Sequence, residues 1–313
     1  MPVTGLHHVT AITGPAQQTV DFVSGRLGLR LVKRTVNFDD PGTYHLYWAD
    51  AEARPGSVFT AFPWADARRG RAGEGQPTAT AWAAPLGAVD RWADRFAEDG
   101  FTDWDPPAER FGERVLTVCS PDGLAFEIVE TDDAGGADAG GAGDPDRLGA
   151  FHSVTLCSTA PHWTLGVLVD VLGYREAGVE DGRTRLVNDA ADRARFVDLW
   201  CAPGGEGERA GRTGAGTVHH VAFRVPSSEA QAEVREALLA RGLRPTEVRD
   251  RQYFRSVYVR EPGDILFEIA TDPPGFAVDE PADALGQALM LPPQYEPMRD
   301  RIERRLPELT VPS

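Results

Sequence analysis

Two stretches of the chain, SPDGLAFEIVETD at residues 120–132 and EPGDILFEIATDP at residues 261–273, repeat one pattern. Each begins with a Pro- and Gly-containing turn and continues as an apolar run with a single glutamate in its middle. Short apolar runs bounded by turn residues are typical of buried β-strands. A repeat of this kind in the two halves of a chain indicates an internal duplication.

Outward from these strands, the same arrangement recurs four times. Each unit has a short strand, a helical segment and further strands separated by turns, and Gly100 and Gly242 follow two of the helices as C-cap glycines do. We therefore predict the α+β class, with four β-α-β-β-β units in order along the chain. The first strands of the units are LHHVTAI (6–12), ATAWAA (79–84), FHSVTLC (151–157) and VHHVAFRV (218–225).

A run rich in Gly and Ala separates the two halves. It contains nothing that could enter a core, which predicts a flexible linker at 132–148 between units 1 and 2 (1–131) and units 3 and 4 (149–275). The remaining residues, 276–313, form a C-terminal tail that we expect to pack across a barrel mouth or at an oligomer contact.

The composition limits the classes of partner. The chain has 313 residues, of which 42% are hydrophobic, and its 32 basic and 48 acidic residues give a net charge of −16. Such acidity without a basic cluster excludes nucleic acid and anionic membrane surfaces as natural partners. No apolar run approaches the roughly 18 residues of a membrane span, so we expect a soluble cytoplasmic protein. A homo-oligomer is compatible with the sequence, which does not define the oligomeric state.

The three cysteines, Cys119, Cys157 and Cys201, are far apart and form no CxxC pair. This spacing suggests neither a disulfide framework nor a zinc site. We expect each to be a buried thiol that behaves as a small hydrophobic residue.

Four of the seven histidines lie in two identical dipeptides that open strands, His7-His8 and His219-His220. Because side chains alternate along a strand, only one histidine of each pair can face a barrel interior.

Alignment of the first strands LHHVTA, FHSVTL and VHHVAF decides which histidines correspond. His8 matches His220, and Ser153 takes this position in the third unit. His152 aligns with His7 and His219 instead, so we do not expect it to be a ligand.

Glu127 and Glu268 occupy equivalent places in the repeated strand, and a lone buried glutamate needs a paired charge or a cation. Units 1 and 2 would offer only His8 and Glu127, whereas units 3 and 4 would offer only His220 and Glu268. Units 1 and 4 together supply two histidines and Glu268. This set is the 2-His-1-carboxylate triad that binds iron(II), and manganese(II) is also compatible with it. We therefore predict that units 1 and 4 close one barrel around a metal, while units 2 and 3 close a metal-free one.

The chain resembles the hydroquinone-opening dioxygenases of the vicinal oxygen chelate, or glyoxalase-like, superfamily, such as 2,6-dichlorohydroquinone 1,2-dioxygenase and the methylhydroquinone dioxygenases. The similarity covers nearly the whole chain and is most specific in HHVTAI (7–12), HHVAF (219–223) and DRQYFRSVYVREPGDILFEIATDPPGF (250–276). Asp264 departs from it, since a glycine is expected in this turn.

The resemblance implies two vicinal-oxygen-chelate barrels and a reaction of iron(II), dioxygen and a small aromatic substrate. The family's metal ligands fall on His8, His220 and Glu268. A hydroquinone ring would open beside a hydroxylated carbon, in aromatic-compound degradation or quinone detoxification. The residues implied around the metal are His7, Thr10, His219, Arg251 and Tyr258.

Three alternatives remain open from the sequence. A glyoxalase-type isomerase or lyase usually needs a second carboxylate ligand, which the unit 1 strand SVFTAFPW at 57–64 lacks. A catechol dioxygenase would use the same ligands, because a catechol chelates with two oxygens and a hydroquinone binds with one. A metal-free protein that sequesters an aromatic drug or antibiotic would typically have lost the ligand residues.

Overall fold

The computed structural model describes residues 2–132, 146, 148–204 and 210–312. These residues form sixteen strands and a few short helices. The strands are β1 Leu6–Thr13, β2 Arg30–Val36, β3 Tyr44–Ala49, β4 Val58–Pro63, β5 Gln76–Ala84, β6 Ala108–Arg110, β7 Glu113–Cys119, β8 Ala125–Glu130, β9 Phe151–Cys157, β10 Arg175–Glu180, β11 Arg183–Val187, β12 Phe196–Leu199, β13 Thr217–Val225, β14 Arg249–Asp250, β15 Phe254–Arg260 and β16 Leu266–Pro274. The α-helices are α1 Ala16–Val20, which continues as a π-helical segment Asp21–Arg26, α2 Ala88–Glu98, α3 Pro161–Asp170, α4 Ser228–Ala240 and α5 Arg299–Glu303; two 3₁₀ turns lie at Phe276–Val278 and Glu296–Met298.

The strands form two eight-stranded sheets, each built from two units. The first has the order β14-β15-β16-β13-β1-β4-β3-β2, and the second has the order β10-β11-β12-β9-β5-β8-β7-β6. Units 1 and 4 therefore share one sheet through the antiparallel pair β1–β13, and units 2 and 3 share the other through β5–β9. This is the α+β fold and the pairing of units that the sequence predicts.

The four units share the burial pattern of their first strands and the packing of helices against the sheets. The first strand of each unit is almost entirely buried, as expected where one face lines a barrel and the other meets a helix. Helix α4, for example, is capped at its N-terminus by Ser227, whose side chain accepts a hydrogen bond from the Ala230 amide, and it packs against β13, β15 and β16. Apolar side chains between helices and sheets form one large core.

The turns before the two glutamate strands have the same backbone shape. Gly123 has φ +94° and Asp264, at the equivalent position, has φ +68°. Only glycine adopts this region freely, but aspartate tolerates it better than most residues. The aspartate that departs from the family pattern therefore keeps the turn.

The expectation that all cysteines are free thiols is wrong for two of them. Cys157 and Cys201 form a disulfide, with Cα atoms 4.7 Å apart, whereas Cys119 is free and half-buried. Strand β12 pairs in parallel with β9, so Cys201, two residues beyond β12, comes beside Cys157 at the end of β9. Their separation of 44 residues gives no such signal in the sequence.

Most of the predicted linker, at 133–145 and 147, lies outside the described residues. The tail runs along the sheet edge formed by β2, where Arg34 bridges to Leu289 and Lys33 pairs with Glu280. It contributes none of the described residues that line the cavity below. No helix in the described part of the chain is long and apolar enough to cross a membrane.

Candidate metal centre

His8 on β1, His220 on β13 and Glu268 on β16 meet inside the first sheet. The two imidazole Nε2 atoms are 3.3 Å apart, and Glu268 Oε2 lies 3.3 Å from His8 Nε2 and 2.9 Å from His220 Nε2. Among the described residues, this is the cluster of histidine and carboxylate groups that could hold a metal ion. Two ligand atoms about 2.1 Å from a metal and at right angles to each other are about 3.0 Å apart, which matches this triangle.

The Glu268 carboxylate gives a direct test of whether a cation fits. Its side chain is fully buried, and Oε2 accepts no hydrogen bond from any described residue although two ring nitrogens lie close to it. A buried carboxylate oxygen without a partner costs several kcal/mol, of the order of 2–7 kcal/mol. A metal ion between the three atoms would remove this cost, so the residues fit a bound divalent cation.

The electrostatics of the cluster favour an ionised Glu268 carboxylate beside a neutral His220. Burial alone would raise the pKa of Glu268, but the adjacent His8 and His220 outweigh it and hold that pKa well below its usual range. Burial lowers the pKa of His220, although Glu268 partly opposes this. An anionic oxygen and two unprotonated nitrogens are the forms that bind metals.

In each HH dipeptide, the ring of the other histidine contacts the ring of the candidate ligand. His7 Nδ1 lies 2.9 Å from His8 Nδ1, and His219 Nδ1 lies 2.7 Å from His220 Nδ1. Burial, reinforced by the neighbouring histidine, lowers the pKa of His7 well below its usual range and that of His219 to about 3. Both rings are therefore neutral and can accept a hydrogen bond at Nδ1.

Ser256 is a site residue that the sequence reasoning missed. It lies on β15, and its hydroxyl donates to Glu268 Oε1 at 2.5 Å, which fixes the carboxylate so that Oε2 faces the histidines. A single serine in a strand carries no signal of its own. The register that brings β15 beside β16 would have placed Ser256 on the face of Tyr258, two residues later.

A cavity of about 440 Å³ opens beside the three groups. Tyr258 and Arg251 both line it, as the resemblance implies, and Arg251 Nε donates to the Tyr258 hydroxyl at 3.3 Å. Tyr258 is the direct cross-strand partner of Glu268, so their side chains share the inner face of the sheet. The apolar part of the wall includes Phe62, Trp64, Phe254 and Leu266.

Thr10 is fully buried on the inner face of the first sheet, but it does not line the cavity. Its hydroxyl accepts a hydrogen bond from Thr60, which in turn contacts His45. His45 gave no motif in the sequence, yet it is buried and lines the cavity together with Tyr47.

Comparison with known proteins agrees with this geometry. Residues 5–128 match the Glyoxalase/Bleomycin resistance protein/Dioxygenase superfamily. The chain is 45% identical to "Putative ring-cleaving dioxygenase MhqO" of Bacillus subtilis over 305 residues, which covers 96% of this chain and 95% of that protein. It is 34% identical to "Chlorohydroquinone/hydroquinone 1,2-dioxygenase" of Sphingobium indicum, covering 97% and 96% of the two chains.

Solved structures show the same relationship. The crystal structure of a "putative dioxygenase" from Bacillus subtilis superimposes with a TM-score of 0.92 at 43% identity, covering 99% of both chains. Glyoxalase I from Zea mays, at 14% identity and a TM-score of 0.62 over 86% of this chain and 92% of that one, shares the fold. The chain therefore belongs to the glyoxalase/bleomycin resistance protein/dioxygenase superfamily, and within it to the ring-cleaving dioxygenases, which are enzymes.

Proposed function

We propose that the protein is an iron(II)-dependent dioxygenase that opens the ring of a hydroquinone with O2, and that His8, His220 and Glu268 hold the iron. The observation that carries this proposal is the buried, unpartnered Glu268 Oε2 facing two imidazole nitrogens at 2.9 and 3.3 Å. The hydroquinone as substrate class is supported by the name of a relative at 34% identity, which states this activity for that protein.

A facial set of two histidines and one carboxylate favours iron(II), although manganese(II) accepts the same ligands. Bound iron would supply open coordination positions for substrate and dioxygen and a path for electrons between them. The protein would supply orientation, charge and exclusion of water. A glyoxalase-type isomerase would usually require a fourth protein ligand, a second carboxylate. Among the described residues, no such group joins His8, His220 and Glu268.

His7 and His219 would set the orientation of the ligand histidines. If Nε2 binds the metal, Nδ1 of each ligand ring carries the proton and donates it to the Nδ1 of its neutral neighbour. Hydrogen bonds of this kind fix the tautomer and the ring plane of a metal-bound histidine. The HH dipeptides thereby provide both a ligand and the group that holds it.

Tyr258 and Arg251 would bind the oxygen of the substrate nearest the metal. Burial, with Glu268 nearby, raises the pKa of Tyr258 above its usual value, so its hydroxyl stays protonated. Arg251 donates to the Tyr258 oxygen, and the phenolic hydroxyl would donate its own proton to a substrate oxygen in the cavity. The positive charge of Arg251 would stabilise an anionic substrate oxygen.

Oxygen uptake by anaerobically iron(II)-loaded protein, given methylhydroquinone with catechol in parallel, tests the proposal. We expect uptake with the hydroquinone, its loss in His220→Ala, and its retention in the control His162→Ala, which changes an exposed helix residue. Iron binding without uptake on either ring would contradict the dioxygenase assignment. Uptake with catechol alone would contradict the substrate class.

A further inference from the structure

The wall of the first barrel carries a row of polar side chains that the proposed mechanism does not use. Cross-strand pairing places His220, Thr10, Thr60 and Tyr47 side by side on β13, β1, β4 and β3. Residues paired in this way share one face of a sheet, so the row follows the inner wall away from the metal ligands. His45, two residues before Tyr47 on β3, has the same orientation.

These side chains form one continuous chain of hydrogen bonds. The Tyr47 hydroxyl lies 2.8 Å from His45 Nδ1, and His45 Nε2 lies 2.9 Å from Thr60 Oγ1. Thr60 donates its proton to Thr10 Oγ1 at 2.9 Å. All four residues are buried.

Counting protons fixes the direction of the chain. Thr60 has one hydroxyl proton, which Thr10 receives, so His45 Nε2 must be the donor to Thr60. A neutral His45 protonated on Nε2 has an acceptor at Nδ1, to which the Tyr47 hydroxyl donates. Burial, with a smaller effect of the other histidines, lowers the pKa of His45 well below its usual range and so keeps this ring neutral.

Tyr47 therefore presents an acceptor to the cavity. Its proton is committed to His45, and its oxygen keeps lone pairs beside the space that Tyr47 and His45 line. Burial, then Tyr258 and Glu268, raises the pKa of Tyr47 well above its usual value, which keeps the proton in place.

We propose that Tyr47 determines specificity, because its phenolic oxygen accepts a hydrogen bond from the ring hydroxyl of the substrate that is not at the metal. This inference rests on the proposed function. A para-diol with one oxygen at the metal keeps its second hydroxyl protonated and directed away from the metal. A catechol that chelates with both oxygens has no proton to offer there. His45, Thr60 and Thr10 are positioning residues, since they hold the Tyr47 proton away from the cavity.

The test compares the affinities of two ligands in iron(II)-loaded protein under anaerobic conditions. Hydroquinone and 4-methylphenol have similar size, but only hydroquinone has a proton to donate at the far end of the ring. Calorimetric titration of wild type and Tyr47→Phe gives the preference for hydroquinone in each. We expect the substitution to lower this preference about fivefold, the value of one neutral hydrogen bond.

Tyr44→Phe is the matched control, because Tyr44 is on the same strand but its hydroxyl donates to the Pro307 carbonyl outside the cavity. It should keep the wild-type preference. Thr60→Val should also lower the preference, because His45 then loses the acceptor that fixes its tautomer. A merely structural role of Thr60 would change the affinities for both ligands equally.

Oxygen uptake separates failure of this inference from failure of the proposed function. If wild-type protein binds and consumes hydroquinone while Tyr47→Phe keeps the wild-type preference, the assignment of Tyr47 is wrong and the proposed function stands. If wild-type protein neither binds hydroquinone nor consumes oxygen with it, both are wrong.

Discussion

The two barrels of this protein, one formed by each sheet, place equivalent glutamates in different environments. In the first barrel, Glu268 faces a cavity, and its Oε2 has no hydrogen-bond donor among the described residues. In the second, Glu127 is held by Arg110, whose guanidinium nitrogens lie 2.9 and 3.0 Å from its two oxygens. A buried carboxylate requires a positive partner, and the comparison shows two ways to supply one. The second barrel uses a side chain, whereas the three groups of the first have the geometry to hold a metal ion.

The strand register identifies the residues of the second barrel that stand at the positions of His8 and His220. Ala81 on β5 pairs with both Glu127 and Ser153, as Ala222 on β13 pairs with Glu268 and His8. Ser153 therefore stands where His8 stands, as the sequence alignment predicts. Two residues before Ala81, Ala79 takes the place of His220.

Arg110 and Arg251 are also equivalent, and they behave differently. Each lies seven residues before the cross-strand partner of its glutamate, which is Thr117 in the second barrel and Tyr258 in the first. Arg251 is held by the Tyr258 hydroxyl, whereas the smaller threonine leaves Arg110 free to reach the carboxylate. One side chain thus helps to decide whether the guanidinium closes the barrel or lines a cavity.

The largest expected contrast comes from Glu268→Gln and Glu127→Gln. Glu268→Gln removes the anionic group of the proposed iron site and should lower iron retention and reduce oxygen uptake about a thousandfold, since a bound metal contributes several kcal/mol to such reactions. Glu127→Gln should leave both unchanged. Iron content and oxygen uptake of the two purified variants measure this. Loss of iron from Glu127→Gln would contradict the division of the molecule into a metal-binding and a metal-free barrel.

A smaller contrast is expected for the histidines beside the ligand positions. His219 contacts His220 and His152 contacts Ser153, in both cases through Nδ1. His219→Ala should weaken iron binding by about 10- to 100-fold, the usual cost of losing a group that orients a metal ligand. His152→Ala should leave iron affinity unchanged. A competition titration with a chelator measures the iron affinity of both variants. Equal losses of iron affinity in the two would show that neither histidine acts through its neighbour.

The sequence predicts the four units, their pairing and the convergence of three side chains because these features have short-range signals. The HH dipeptides and the FEI strands repeat at fixed places, and alternation along a strand gives the phase of His8 and His220. Counting the ligands that each pair of units could offer then selects units 1 and 4.

What the sequence does not reveal depends on contacts between distant strands. Ser256, the Tyr47–His45 chain, the Arg110–Glu127 pair and the Cys157–Cys201 disulfide involve ordinary residues brought together by register. Their chemistry is visible only once strand order and sheet curvature are known. The direction of the tail is another such case, because its partner β2 begins nearly 250 residues earlier in the chain.

Arg110→Met tests whether the guanidinium of the second barrel is the counterpart of a metal. It leaves Glu127 buried without this cation, and we expect a loss of about 2 kcal/mol in the free energy of unfolding, below the full value for a buried pair because Arg110 is partly exposed. Oxygen uptake should not change. The double variant Arg110→Met/Glu127→Met should recover most of the stability, since replacing both charges by apolar groups removes the unpaired anion. Urea unfolding of the three proteins gives the answer, and a stable Arg110→Met would mean that solvent already compensates Glu127.

The smallest expected effect is a pH dependence confined to the second barrel. Glu113 lies 3.1 Å from His152 Nε2 and pairs with Arg185. Burial opposes ionisation of Glu113, but the hydrogen bond and charge of His152, together with Arg185, outweigh it and lower the pKa below the usual 4.5. A carboxyl with a lowered pKa in the folded protein stabilises it above pH 4.5, and this contribution is lost as the pH falls through the lowered value.

Glu113→Gln should therefore cost on the order of 0.5 kcal/mol at pH 7 and make the acid limb of the stability curve shallower below pH 4.5, as for other partly exposed ion pairs. Urea midpoints of wild type and variant between pH 3 and pH 7 measure the difference. Because Glu113 lies on β7 of the second sheet and does not line the cavity, oxygen uptake of folded enzyme at pH 7 should be the same in both. If the stability of wild type and variant falls in parallel below pH 4.5, protonation of Glu113 does not change the stability of the second barrel, and the expected contribution of its ion pairs is wrong.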